Sequence, residues 1–220
     1  MSKVYPVIHY YNKETTISEA AKAFECGADG VFLISHIGQN EKLIPLAIEI
    51  KEKFKMKVGI NFLGDDVLST AKIVEQNNLD MVWSDYCGVS SAGLNFNGFQ
   101  LKEWSDANPN IEVFASVAFK YQIVDNNPPL AALNALNAGF IPTTSGSGTG
   151  SAPTLEKIRT MSKMTKGKIA VASGMTCENI HIFKTHLSDI LVSTGISDDD
   201  YHFNVEKMKK FIQIAHSLNQ

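Results

Sequence analysis

Short apolar runs alternate with amphipathic helical patterns along the whole chain. Eight runs are rich in Val, Ile, Phe and Ala and carry few charges. Near-continuous apolar runs of this kind are typical of parallel strands that are buried on both faces of a sheet. The predicted strands are 4–10, 30–35, 57–63, 81–85, 111–119, 140–144, 168–172 and 189–193.

Between these strands, apolar residues recur at i, i+3, i+4 and i+7, which is the spacing of one helix face. In the first helix, Thr16 and Glu19 have the spacing of a capping box, and Gly27 follows the predicted end. Each strand–helix unit takes roughly 27 residues, enough for a strand, a helix and two short loops. Eight such units favour an α/β fold, a (β/α)8 TIM barrel formed as a single domain by residues 1–220, over an open doubly wound sheet.

Composition narrows the classes of ligand. The formal net charge is −3, and Arg159 is the only arginine of the chain. Binding to duplex nucleic acid usually requires a basic face rich in Arg and Lys, so no nucleic-acid partner is expected. An anionic ligand would have to be held by backbone N–H groups, hydroxyl groups or lysines.

The three cysteines, Cys26, Cys87 and Cys177, are isolated in the sequence. Their spacing resembles neither a zinc site nor a disulfide framework, and we expect no metal and no cofactor. Residues 1–13 lack the apolar core of a signal peptide, and no apolar run has the length of a membrane span. The sequence therefore predicts a cytoplasmic protein without a membrane partner.

Polar residues stand at the predicted strand ends, where TIM barrels carry their active sites. They are His9, His36, Asn61, Asp85 and Lys120. We predict that Asp85 and His9 act as general acid and base. Lys120 is expected to stabilise developing negative charge, and Asn61 to contact the substrate.

A glycine-rich segment, residues 145–150, follows the sixth strand. It lacks the lysine of a P-loop, and a Rossmann fingerprint would follow the first strand instead. Glycines in such a loop let backbone N–H groups approach a ligand. The predicted substrate-binding residues of this loop are Ser145, Gly146, Gly148 and Thr149.

The last two strands both end in a hydroxyl residue followed by glycine. Barrel enzymes frequently bind phosphate between the loops after strands seven and eight. Small residues expose N–H groups there, and a helix N-terminus adds a favourable dipole. The sequence thus predicts a phosphate site formed by Ser173, Gly174, Ser193, Thr194 and Gly195.

Motifs at these positions resemble those of the BtpA family of TIM barrels, over most of the chain. The resemblance is clearest at 172–179, Ala-Ser-Gly-Met-Thr-Cys-Glu-Asn, which is similar to a Gly-Ser-Gly-Val-Thr-x-Glu-Asn pattern. Further similar segments are Val7-Ile8-His9, Gly59-Ile60-Asn61 with Asp65-Asp66, Phe119-Lys120, 145–150 and Val192-Ser193-Thr194-Gly195. The chain departs from the family in a shorter first loop and in Ser84-Asp85. One branch of that family is linked to photosystem I biogenesis and others to sugar or nucleoside metabolism, so the resemblance implies a fold and a site location more than a reaction.

Three hypotheses follow. The first is an enzyme that uses acid–base chemistry on a small phosphorylated molecule, a sugar phosphate or a nucleotide, for isomerisation or for cleavage at the anomeric carbon. In the second, Lys120 is a Schiff-base nucleophile of an aldolase-type lyase, desolvated by Phe119 and Tyr121. The third is a non-catalytic assembly or binding protein on a barrel scaffold. The sequence leaves a homo-oligomer open.

Overall fold

The computed structural model describes residues 1–217, and residues 218–220 of the predicted domain lie outside the described part. Eight parallel strands form one closed barrel. Their bounds are β1 Lys3–His9, β2 Gly30–Ile34, β3 Lys57–Asn61, β4 Met81–Ser84, β5 Glu112–Ser116, β6 Ile141–Thr144, β7 Ala170–Ala172 and β8 Asp189–Val192.

The barrel closes between the first and the last strand. Lys3 pairs with Asp189 across β1 and β8, and Val7 pairs with Phe32 across β1 and β2. Every other strand pairs with its sequence neighbours. The prediction of a (β/α)8 barrel closed by the first and eighth runs is therefore confirmed.

A helix follows every strand and packs on the outside of the barrel. The helices are α1 Lys13–Glu25, α2 Asn40–Phe54, α3 Val67–Gln76, α4 Phe96–Ala107, α5 Pro128–Asn137, α6 Leu155–Thr165, α7 Ile180–Phe183 and α8 Val205–His216. In α6, the Thr154 side chain caps the N-terminus by accepting from the backbone N–H of Lys157, and Ile158 and Met161 face the core. Within residues 1–217, none of these helices has the length and apolarity that a membrane crossing requires.

The apolar core has two parts. Inside the barrel, the rings of Tyr5, Phe32 and Phe114 meet edge to face with centroids 5.1 to 5.9 Å apart. A larger cluster fills the space between the strands and the helices. Because the barrel interior is packed with side chains, only its ends are open to a ligand.

The predicted capping box of the first helix is wrong. The helix begins at Lys13, one turn earlier, and Asn12 caps it by accepting from the Thr15 N–H at 2.8 Å. The Thr16 hydroxyl donates to the Asn12 carbonyl instead. Glu19 is buried, and it accepts from the backbone N–H of Phe203 at 2.7 Å. The carboxylate that matched a capping box in fact holds the loop before α8.

The predicted fifth strand is too long. It ends at Ser116, and Ala118 and Tyr121 adopt left-handed backbone conformations with φ of 46° and 64°. The apolar residues after Ser116 are buried in a loop, which is why they resembled a strand. Lys120 is therefore a loop residue. The loop after β4 also contains an unpredicted antiparallel hairpin, Val89–Ser90 with Gly93–Leu94.

Candidate functional site

A cavity of about 90 Å³ opens at the carboxyl ends of the strands, and we call it the mouth cavity. Its apolar floor consists of Val7, Ile34, Trp83, Ala172, Leu191 and Val192. Its remaining lining residues are His9, His36, Lys120, Thr149, Gly150, Ser173, Gly174, Met175, Ser193, Thr194 and Gly195. Drug-sized ligands occupy roughly 300–1,000 Å³. The mouth cavity therefore has room for a group the size of a phosphate and a few further atoms.

One wall of the mouth cavity is formed by the loops after β7 and β8. Among residues 1–217, the backbone N–H groups of Gly174, Met175, Thr194 and Gly195 have no hydrogen-bond partner. The Ser193 carbonyl accepts from the Ser197 hydroxyl at 2.8 Å, and the Ser193 side chain lines the same wall. Backbone N–H groups without a partner in the residues that line a cavity favour an anionic ligand.

Gly174 and Gly195 are also required by packing. A Cβ at Gly195 would clash with the carbonyl oxygen of Met175, and a Cβ at Gly174 would clash with the backbone of Ser151 and Ala152. The glycines would be needed here even without a ligand. The hydroxyl–Gly pattern therefore has a structural cause, and substitution of either glycine would disturb this packing instead of testing ligand binding alone.

Two histidines face each other on the opposite wall. The rings of His9, at the end of β1, and His36, two residues beyond β2, meet edge to face with centroids 4.8 Å apart. Burial, followed by the charge of His36, lowers the pKa of His9 to about 4. Burial and the Lys120 ammonium lower the pKa of His36. At neutral pH both rings are uncharged, so each offers one donor and one acceptor.

Asp85 and Lys120 form a second titratable pair. Asp85 directly follows β4, and its pKa is raised by burial, against the opposing effect of the Lys120 ammonium. The pKa of Lys120 is lowered by burial, against the opposing effect of Asp85. Burial thus makes the carboxylate more basic and the ammonium more acidic, and opposite shifts of this kind are typical of ionisable groups in active sites.

Asn61, the last residue of β3, is buried beside this pair. Among residues 1–217 no acceptor lies within hydrogen-bond distance of its Nδ2, although the amide is close enough to Asp85 to favour the charged carboxylate. A buried amide donor without a partner is costly. The Asn61 amide can therefore donate a hydrogen bond to Asp85 or to a ligand that reaches it.

The backbone of the loop after β5 is fixed by side chains. The N–H of Lys120 donates to Ser145 Oγ at 2.8 Å, and Lys120 Nζ lies 3.4 Å from Thr149 Oγ1. Gln122 Nε2 donates to the carbonyls of Asp85 and Ser116. The position of the Lys120 ammonium thus depends on the loops after β4, β5 and β6 together.

A second, more open cavity of about 520 Å³ lies beyond Lys120, and we call it the loop cavity. Lys120 lines both cavities, and Ser145 and Gly146 line the loop cavity only. Residues 145–150 therefore form a partition between the two spaces instead of a single lid over the mouth.

The structure brings most of the predicted site residues together, with exceptions. His9, Lys120, Thr149 and the five residues of the predicted phosphate site line the mouth cavity. Asp85, Asn61 and Gly148 line neither cavity. The Gly148 carbonyl accepts from the Ser173 hydroxyl at 3.1 Å, so Gly148 supports the wall.

The mouth cavity is also lined by His36, a strand-end residue that was not among the predicted catalytic residues, and by Gly150 and Met175, for which no role was predicted. The position of His36 after the second strand was a signal, but its contact with His9 depends on the three-dimensional path of the loop. No group of three or more His, Cys, Asp or Glu side chains suited to a metal ion occurs within residues 1–217.

The low pKa of His9 predicts a pH dependence of stability. An unfolded histidine titrates near pH 6.5 and the folded His9 at about 4, so between these values the unfolded chain binds more protons. The contribution of His9 to the free energy of unfolding is then fully present above pH 6.5 and is lost as the pH falls towards 4. We expect a loss of about 2 kcal/mol between pH 7 and pH 5, read as the difference between wild type and His9→Gln in urea denaturation. An equal pH dependence in both proteins would contradict the assignment.

Comparisons with known proteins agree with this architecture. The chain is 23% identical to the uncharacterized protein PH1209 of Pyrococcus horikoshii, over 94% of this chain and 88% of that protein. Phosphoribosyl anthranilate isomerase from Thermus thermophilus superposes with a TM-score of 0.66 at 14% identity, over 96% of this chain and 97% of that one. The 2-keto-3-deoxy-6-phospho-gluconate aldolase from Zymomonas mobilis gives a TM-score of 0.66 at 11% identity, over 100% and 94%. The chain is a TIM barrel.

No model of a protein family matches the chain. Membership of the BtpA family is therefore not shown, and the shared motifs remain a resemblance within the broad group of TIM barrels. At these identities the similar structures establish the fold of this TIM barrel but not its activity.

Proposed function

We propose that this TIM barrel is an enzyme that isomerises a small sugar phosphate by acid–base chemistry at the mouth cavity. The observation that carries the proposal is the composition of that cavity: loop residues after β7 and β8, whose backbone N–H groups have no partner among residues 1–217, line the same cavity as the ionisable side chains of Lys120 and His9. Cleavage at the anomeric carbon of a phosphorylated substrate would use the same residues of the mouth cavity.

The phosphate would bind the N–H groups of Gly174, Met175, Thr194 and Gly195 and the hydroxyl of Ser193. The chain contributes no arginine at this wall, so the anion would be held by backbone dipoles and hydroxyls. The volume of about 90 Å³ favours a sugar phosphate over a nucleotide, because a base and a ribose would not fit beside the phosphate.

The chemistry would be a proton transfer next to a carbonyl group. Asp85, made more basic by burial, would take a proton from the substrate carbon, and the electron pair would move onto the carbonyl oxygen. Lys120 would stabilise that oxygen, and the neutral His9 would relay a proton to it. Asp85 lies beside the cavity wall and not in it, so the reacting carbon would have to extend from the phosphate towards Lys120.

The names of the similar barrels support a phosphorylated substrate. One is an isomerase named for a phosphoribosyl compound, and the other is an aldolase named for a phosphorylated gluconate. The motif resemblance to the BtpA family, with branches in sugar and nucleoside metabolism, points to the same class of small molecule.

A second candidate function, Schiff-base aldolase chemistry, is favoured by the surroundings of Lys120. Burial lowers the pKa of this lysine, and its Nζ lies 5.5 Å from the Phe119 ring centroid. A neutral amine fraction would allow attack on a carbonyl carbon with loss of water. The aldolase among the similar structures is consistent with it.

The phosphate site is tested by thermal shift and calorimetry with inorganic phosphate and with paired phosphorylated and unphosphorylated sugars. A ligand at a hundred times its Kd should add about 2.7 kcal/mol to the stability. In Ser193→Ala/Thr194→Val we expect affinity for the phosphorylated members to fall about ten-fold or more, because hydrogen bonds to a charged group are lost. Unphosphorylated sugars should be unaffected.

Ser147→Ala is the matched control, because Ser147 lies at the same end of the barrel but lines only the loop cavity. Equal weakening of phosphorylated and unphosphorylated sugars in Ser193→Ala/Thr194→Val would count against a dedicated phosphate site. So would equal weakening in the control variant.

A further inference from the structure

Lys157, on α6, is a partly buried lysine outside the mouth cavity. Its Nζ donates to the carbonyl of Ala118 at 2.6 Å and to the carbonyl of Ser145 at 2.8 Å. Among residues 1–217 no carboxylate approaches it, and burial alone lowers its pKa to about 8. A half-buried ammonium without an acidic partner is costly, so its two carbonyl contacts must contribute something that an apolar residue would not.

The two carbonyls belong to the two loops that hold Lys120. Ala118 lies two residues before Lys120 and has a left-handed φ of 46°, which is unfavourable for a residue with a side chain. Ser145 accepts the backbone N–H of Lys120 through its Oγ. The Thr144 hydroxyl also donates to the Ala118 carbonyl, at 3.2 Å. Lys157 therefore joins the segments on both sides of the Lys120 backbone.

We propose that Lys157 is the positioning residue for Lys120, holding the loops after β5 and β6 so that the Lys120 ammonium projects into the mouth cavity. This role of Lys157 rests on the proposed function only because Lys120 is the residue proposed to act in the mouth cavity. Lys157 itself lines the loop cavity, and its two acceptors, Ala118 and Ser145, line that cavity and not the mouth cavity. Its effect on the site is transmitted through Ala118 and Ser145.

A purely stabilising lysine would affect the unfolding free energy and leave the environment of Lys120 unchanged. A positioning lysine would alter the solvation of Lys120. Burial is the largest influence on the pKa of Lys120, so a relaxed loop that exposes this side chain would raise that pKa towards its ordinary value. The titration of Lys120 therefore separates the two roles without any substrate.

The experiment is trace labelling of lysines with acetic anhydride between pH 6 and 11, read residue by residue by mass spectrometry on the full chain. In Lys157→Met we expect the titration midpoint of Lys120 to move up towards the ordinary value of a solvated lysine, and the amides of residues 117–121 to exchange at least ten-fold faster. Lys157→Arg should restore both. Lys163→Met, on the exposed face of the same helix, is the control and should change neither.

Two further measurements separate the positioning role from the loss of a charge and from a failure to fold. Repetition in about 1 M salt, where the Debye length is about 3 Å, weakens the direct effect of losing a charge and does not weaken the positional effect. If Lys157→Met does not fold, Ser145→Ala keeps Lys157 and removes the acceptor of the Lys120 N–H, and it should raise the midpoint similarly. An unchanged Lys120 midpoint in a folded Lys157→Met, or in Ser145→Ala, overturns the proposal.

Inorganic phosphate binding, measured on the same proteins, tests the proposed function separately. The Lys157 ammonium donates its hydrogen bonds to Ala118 and Ser145 and to none of the groups proposed to bind phosphate, so the affinity for phosphate should be unchanged in Lys157→Met. If the wild-type protein does not bind inorganic phosphate, the proposed function is contradicted. The positioning role of Lys157 is not affected by that result.

Discussion

Asp85→Asn is expected to lose roughly 10²-fold or more in turnover while keeping its affinity for a sugar phosphate. The amide has nearly the shape of the carboxylate but cannot accept a proton. Burial raises the pKa of Asp85, so the wild-type carboxylate is a stronger base than an exposed one, and that advantage is lost. The measurement is turnover of the sugar phosphate that gives the largest thermal shift, with Kd from calorimetry.

Asp65→Asn is the matched control, since Asp65 is an exposed carboxylate in the loop after β3 at the same end of the barrel. Its turnover should equal that of wild type. Full activity in Asp85→Asn would remove Asp85 from the mechanism and favour a non-catalytic barrel. A rise in KM without a change in kcat would instead indicate that Asp85 only orients Lys120 or the substrate.

Loss of the Lys120 charge should have an effect of similar size. We expect Lys120→Met to lose about 10²–10³-fold in turnover, because stabilisation of a developing oxyanion contributes several kcal/mol. Lys120→Arg keeps the charge but displaces it, so a partial loss is expected. Borohydride added with the carbonyl substrate should leave Lys120 unmodified under the acid–base mechanism.

A borohydride-trapped adduct on Lys120, found by mass spectrometry, would contradict that mechanism and support the Schiff-base alternative. In that case Lys120→Arg should abolish turnover instead of reducing it. Lys157 provides the matched control for the labelling, because it is also a partly buried lysine of low pKa but lies outside the mouth cavity. An adduct on both lysines would indicate non-specific reactivity.

The fold could be predicted because a buried parallel strand leaves a clear pattern. Each barrel strand is an apolar run between amphipathic helices, and closure follows from the count of eight. The end of β5 could not be predicted, since Val117 and Phe119 are as apolar and buried as strand residues. The loop there is set by the side chain of Gln122, which donates to the carbonyls of Asp85 and Ser116.

The candidate site was predictable where it depends on strand ends and not where it depends on loop paths. His9, Ser173 and Ser193 lie at or just after strand ends, and the structure places all three in the mouth cavity wall. The contact between His9 and His36 depends on how one loop folds back. Lys157 left no signal, because a lysine on a surface helix is ordinary until its neighbours are known.

The glycine contacts at the barrel mouth have a consequence for how such a protein can be altered. Gly146 packs on Ser151, Gly174 on Ser151 and Ala152, and Gly195 on Met175, so three consecutive loops are stacked backbone against backbone. A change of length in any one of them must be matched by the other two. In a saturation library we expect these three glycines to tolerate almost no replacement, and loop grafts to succeed only when the whole stack is transplanted as a block.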